Sequence, residues 1–124
     1  MNVSQALSIS STFDVAKARN HFRKIADGNN WSPMNRMRLS AVITTLSEMA
    51  LFKGRARINS LLLSYEIVES GSEVGVFFSC ELPVEADSES HLEHAQMQLE
   101  RTAGEVEIMR SGDIDHIVVR VWIE

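Results

Sequence analysis

The chain has 124 residues and a single cysteine, Cys80, so no internal disulfide can staple its fold. Nothing in its cysteine usage points to an oxidising compartment. Its six glycines are scattered rather than clustered, and neither G-x-x-x-x-G-K-[ST] nor G-x-G-x-x-G occurs. That excludes the loops whose grouped glycines let backbone N–H groups close on a phosphate. Positive charge is also short. Twelve Lys and Arg stand against seventeen Asp and Glu, and the net charge of −5 is wrong for a nucleic-acid partner. Arg36, Arg38, Arg55 and Arg57 form no patch, because apolar residues and a turn dilute them. Long hydrophobic runs are missing as well: no stretch approaches the roughly 18 apolar residues of a membrane span. The opening MNVSQALSIS lacks the basic start and apolar block of a signal peptide, so a cytoplasmic location is expected.

What is present is an ordinary globular balance, 44% hydrophobic and 23% charged, which suits one core and one domain over 1–124. Residues 3–9 read as a short edge strand. Ser11 and Asp14 have capping-box spacing, and Val15, Ala18, Phe22, Ile25 and Ala26 then form the stripe of a first helix. Gly28-Asn29-Asn30 ends it. Ser32-Pro33 starts a second, with Leu39, Val42, Leu46 and Met49 on one face, running to about Lys53 and closed by Gly54. From Arg57 the period changes. RINSLLLSYEIVES and EVGVFFSCEL, joined by Ser70-Gly71-Ser72, read as a hairpin that Pro83 stops. A capping box from Ser90 to Glu93 opens a third helix that buries Leu92, Ala95, Leu99 and Ala103 and ends at Gly104. Two strands around Ser111-Gly112-Asp113 close the chain; in the last, Ile117, Val119, Val121 and Ile123 alternate with His116, Val118, Arg120 and Trp122. The order (β)ααββαββ predicts an α+β two-layer sandwich: a mixed, mostly antiparallel sheet covered on one face by about three helices.

Few side chains invite chemistry. His91 and His94 could reach one metal from a helix, but no third ligand accompanies them, so surface histidines are the simpler reading. Cys80 falls on a strand that reads as buried, a small hydrophobe rather than a nucleophile. His116 has no serine or cysteine partner motif. Six methionines are many for this length, and Trp31 with Met34 and Met37 forms a candidate contact patch. On a helical wheel Glu48 lies on the flank of the second helix with Ala41, Thr45 and Phe52, where helix geometry alone makes it a boundary carboxylate.

The layout adds a different reading. Two helices, the second carrying Ser47-Glu48-Met49-Ala50-Leu51-Phe52, then a long hairpin, a loop, a helix and two strands: this resembles the anti-sigma-factor serine kinases and switch kinases of the GHKL ATPase superfamily, which also includes gyrase and histidine-kinase ATP domains. In that family the helix carries S-E-L-x-x-N, whose Glu acts as base or orients water and whose Asn helps hold magnesium on ATP. The resemblance would make Glu48 the base. At the Asn position stands Phe52, which cannot coordinate a hard cation. The family's D-x-G-x-G, whose Asp reads adenine, corresponds to Glu81-Leu82-Pro83-Val84-Glu85, with both glycines replaced. Its glycine-rich lid is absent, and Glu85, Asp87, Glu89 and Glu93 would repel a triphosphate.

Three expectations follow from these residues. The first is a GHKL-like regulatory protein that has lost ATP hydrolysis and needs neither ATP nor magnesium. It would act by binding a STAS-domain antagonist, a sigma factor or another signalling protein, with Trp31, Met34, Met37 and Phe52 as contact candidates. The second is an active, divergent serine kinase using ATP and magnesium, with Glu48 as base and Glu81 reading adenine; it fails if Phe52 and Leu82 fill the pocket. The third is an unrelated α+β module that forms a homodimer through the last strand, VVRVWIE.

Overall fold

Alternating apolar residues in five segments and three helical stripes build one sheet with a helical layer against it. The structure, a computed structural model, describes residues 3–51, 61–83 and 89–124. Its elements are β1 (Val3–Ile9), α1 (Thr12–Gly28), α2 (Pro33–Leu51), β2 (Leu61–Ser70), β3 (Glu73–Pro83), α3 (Glu89–Ala103), β4 (Gly104–Ser111) and β5 (Ile114–Trp122). The strands lie in the order β1-β2-β3-β5-β4, and every pairing is antiparallel, so the sheet is not mixed as expected. Residues 52–60 and 84–88 lie outside the described residues, and with them the expected stop at Gly54 and the contact position Phe52.

Local signals in the sequence account for most element ends. Ser11 caps α1 by accepting from the Asp14 N–H at 3.2 Å. The Asp14 carboxylate turns back to Ser10 rather than Ser11, accepting from its N–H and its hydroxyl, both at 2.9 Å. Those bonds, the backbone one foremost, hold the Asp14 carboxyl below its ordinary range. At the other end Asn30 takes the left-handed conformation, φ 57°, which asparagine tolerates better than most residues. The Asn29 side-chain amide caps the Ile25 carbonyl at 2.7 Å. The Trp31 N–H then closes on the Ala26 carbonyl at 2.9 Å, and this turn folds the indole inward. Trp31 is only 8% exposed and belongs to the core, so it is not part of a surface contact patch.

The core fills the space between the helices and one face of the sheet, with Leu63, Tyr65, Val76, Phe78, Leu82, Ile117, Val119 and Val121 buried there. Phe22 joins α1 to the sheet, meeting Tyr65 edge-on with centroids 4.6 Å apart and Phe78 at 5.2 Å. The Tyr65 hydroxyl donates to Gln5 Oε1 at 2.8 Å and has His21 Nε2 at 2.7 Å on its other side; burial pushes its phenol up. On the opposite face, among the described residues, no helix covers Leu62, Ser64, Phe77, Ser79, Glu81, Val118 or Arg120. Gly75 sits on that face under two aromatic rings: a Cβ there would stand 2.8 Å from Phe77 and 3.0 Å from Trp122.

β5 runs between β3 and β4 and is hydrogen-bonded on both sides. β5 therefore has no edge on which a second copy could add a strand, as the third expectation required; among the described residues the sheet edges are β1 and β4. An internal strand has no unpaired N–H and C=O groups to offer a second chain.

Candidate functional site

The second half of α2 turns Val42, Ile43, Leu46 and Met49 into the core, as its 3.6-residue period requires. Glu48 is left on the flank of the helix, partly exposed. Its neighbour Ser47 is fully buried, and its hydroxyl finds no hydrogen-bond partner among the described residues. A buried hydroxyl without a partner keeps its desolvation cost and returns nothing. Ser47→Ala should therefore leave stability unchanged or raise it by up to about 1 kcal/mol. Urea unfolding measures this, and a clear loss of stability would show that the hydroxyl is bonded in solution.

Glu81 is placed elsewhere. It is exposed on β3 between the buried Cys80 and Leu82, so strand alternation sends it to the uncovered face of the sheet. There its carboxylate lies 3.3 Å from His116 Nδ1, its cross-strand partner on β5. Glu48 and Glu81 thus sit on opposite sides of the sheet, and the fold does not bring them together. β3 stays in register with β5 through Leu82 and Pro83, opposite Asp115 and Ile114. Leu82 is 1% exposed and packed in the core; Phe52, the other residue named for a filled pocket, lies outside the described residues.

The remaining candidates are dispersed. His94 is exposed on α3, and the His91 side chain lies outside those described; α3 begins at Glu89, so Ser90 is inside the helix and not the cap expected of it. Among the described residues no group of three or more His, Cys, Asp or Glu could hold a metal ion. No helix among them is long and apolar enough to cross a membrane. Cys80 is buried. Met34 and Met37 are 57% and 62% exposed on the first turns of α2.

Two polar features escaped the sequence reading. Asp115 is fully buried on the helix-facing side of β5 and is bracketed by the Arg110 guanidinium, at 2.9 Å from Nε and 3.3 Å from Nη2. Its signal was the phase of the strand, since Asp115 shares the register of Ile117, Val119 and Val121. The second feature is at the start of α2. Arg38 donates from Nε to the Thr102 carbonyl at 2.9 Å, from Nη2 to Ala103 at 3.2 Å and from Nη1 to Trp122 at 2.8 Å. Buried Asn35 binds the backbone of Glu124 through both amide atoms, at 2.8 and 3.2 Å. Together they pin the end of α3 and the residues after β5 to α2. No local pattern announces contacts that span more than 60 residues.

No protein-family model matches the sequence, and no curated protein matches it significantly. Among solved structures the chain is similar to the RsbU and RsbW domains of Rv1364c from Mycobacterium tuberculosis, with a TM-score of 0.70 and 12% identity. That match covers 98% of this chain and 32% of the other, so this chain spans about a third of the mycobacterial chain. It is also similar to a chain of the SiaB–SiaC complex from Pseudomonas aeruginosa, with a TM-score of 0.59, 11% identity, and 96% and 89% of the two chains covered. At these identities the shared property is the fold alone, the two-layer α+β sandwich that the order of elements implied.

Proposed function

We propose that this chain is a regulatory signalling protein on an anti-sigma-kinase-like fold, acting through contact with another protein and not through ATP hydrolysis. The observation that carries the reading is the separation of Glu48 and Glu81 by the sheet. A nucleotide site needs its base and its adenine reader to face one cavity. Here the residue at the reader's position is engaged with His116 on the far face, and the strand continues through Pro83 where the family carries glycine. Phe52 at the position of the magnesium-binding Asn supports the same reading. A partly exposed Glu48 alone offers one carboxylate and nothing to hold a phosphate.

Contact with a partner is supported by the neighbours. One is solved as a complex of two proteins, and the other carries its RsbW domain in one chain with an RsbU domain. A STAS-domain antagonist, a sigma factor or another output protein is the class of partner this reading implies.

Calorimetry with ATP and ADP at millimolar concentration, with and without magnesium, tests the loss of nucleotide binding. No saturable heat is expected. Saturable, magnesium-dependent binding would overturn the reading in favour of a working nucleotide site.

A further inference from the structure

We infer that the groove between the start of α2 and the end of α3 is a docking site for a basic, amphipathic segment of a partner protein. This inference rests on the proposed role in protein contact and names its surface. The groove has a volume of about 830 Å³. Its wall on α2 is formed by Met34, Met37 and Ala41, and its wall on α3 by residues 100–103. Both methionines are more than half exposed. Methionine is flexible and polarisable, so exposed methionines make surfaces that adapt to an apolar anchor. Met97 lies one helical turn before Arg101 on α3 and is 54% exposed, extending the same character along that helix.

Charge selects the occupant. Glu100, Glu105 and Glu124 line the groove. Two arginines line it as well, so the carboxylates outnumber the cations by one, and the Arg38 N–H groups are already taken up by the carbonyls of Thr102, Ala103 and Trp122 rather than offered to an incoming anion. An apolar seam with an acidic rim suits a segment that presents leucine-like side chains between lysines or arginines, the helix-in-groove mode of recognition. A second copy of this chain is a poor occupant, because it would bring its own acidic rim to the same place. Arg38 also keeps the groove open in a fixed shape, since it ties α2 to both the end of α3 and the end of β5.

The test titrates the chain, labelled at its methionine methyls, with a short amphipathic peptide of leucine and lysine, and with its leucine/glutamate counterpart. The lysine peptide should shift the Met34 and Met37 signals saturably and leave Met109, on the uncovered sheet face, in place. The glutamate peptide should not bind. A Met34→Ser/Met37→Ser variant, checked for unchanged unfolding, should bind about tenfold more weakly. Equal shifts at Met109, equal binding of both peptides, or full affinity in the double variant would each overturn the inference. So would a dimer that this variant abolishes. Nucleotide calorimetry reports separately: selective peptide binding with ATP binding would sink the reading of lost ATP chemistry and leave the groove standing.

Discussion

Phe22→Ala is expected to destabilise the fold by about 3–5 kcal/mol, the usual range for removing a buried phenyl ring. Phe22 is 2% exposed and is the ring through which α1 meets the sheet. Truncation removes the transfer energy of the ring and opens a cavity against Tyr65 and Phe78. Both of these are held by their strands in the middle of the sheet and cannot collapse into the space. The edge-on contact with Tyr65 and the tilted one with Phe78 add to the loss beyond area alone. A loss of this size is a large fraction of the total stability of a small domain, so the variant should unfold at much lower urea with an unchanged slope. Phe22→Leu, which keeps much of the volume, should cost markedly less. A loss below about 1 kcal/mol for the alanine variant would mean that α1 is not packed on the sheet as described.

Arg38→Ala should cost about 2–4 kcal/mol for a different reason. No large cavity forms. Instead the carbonyls of Thr102, Ala103 and Trp122 lose their shared donor, two of them at the C-terminal end of α3 where intrahelical partners run out. A cation at that end also opposes the negative pole of the helix, so its removal weakens α3 twice. Arg38→Lys should recover only part of the loss, because an ammonium cannot span three carbonyls as the planar fork does. Hydrogen exchange makes the mechanism visible: protection should fall first in the last turn of α3 and in β5. Uniform loss across the sheet would point to a general packing role instead.

These two residues also mark the limits of reading the chain without its structure. Phe22 was visible, because it lies in a stripe with Val15, Ala18 and Ala26 that only a helix can align. The hairpin around Gly71 and the cap at Ser32-Pro33 were visible for similar reasons: each depends on neighbours a few residues away. Trp31 was misjudged as surface. Its position just after a helix end reads as a loop, and only the left-handed turn at Asn30 shows that the chain doubles back into the core.

The candidate site was legible in part. Against the family pattern, Glu48 was identified as the retained acid and Phe52, Glu81 and Pro83 as departures, all by residue type. That Glu48 and Glu81 end on opposite sides of the sheet depends on strand phase relative to the helical layer. The acidic rim beside Met34 and Met37 draws on α3, β4 and the residues after β5, which no spacing rule connects.

By itself, then, the sequence determined the kinds of elements, their order and the two-layer class, because helix and strand periods, caps and turns are local properties of the chain. Only the tertiary structure decided which strand lies inside the sheet, where Arg38, Asn35 and Asp115 find partners, and which side chains share a surface. Those outcomes depend on contacts between residues far apart in sequence, and such contacts leave no local trace.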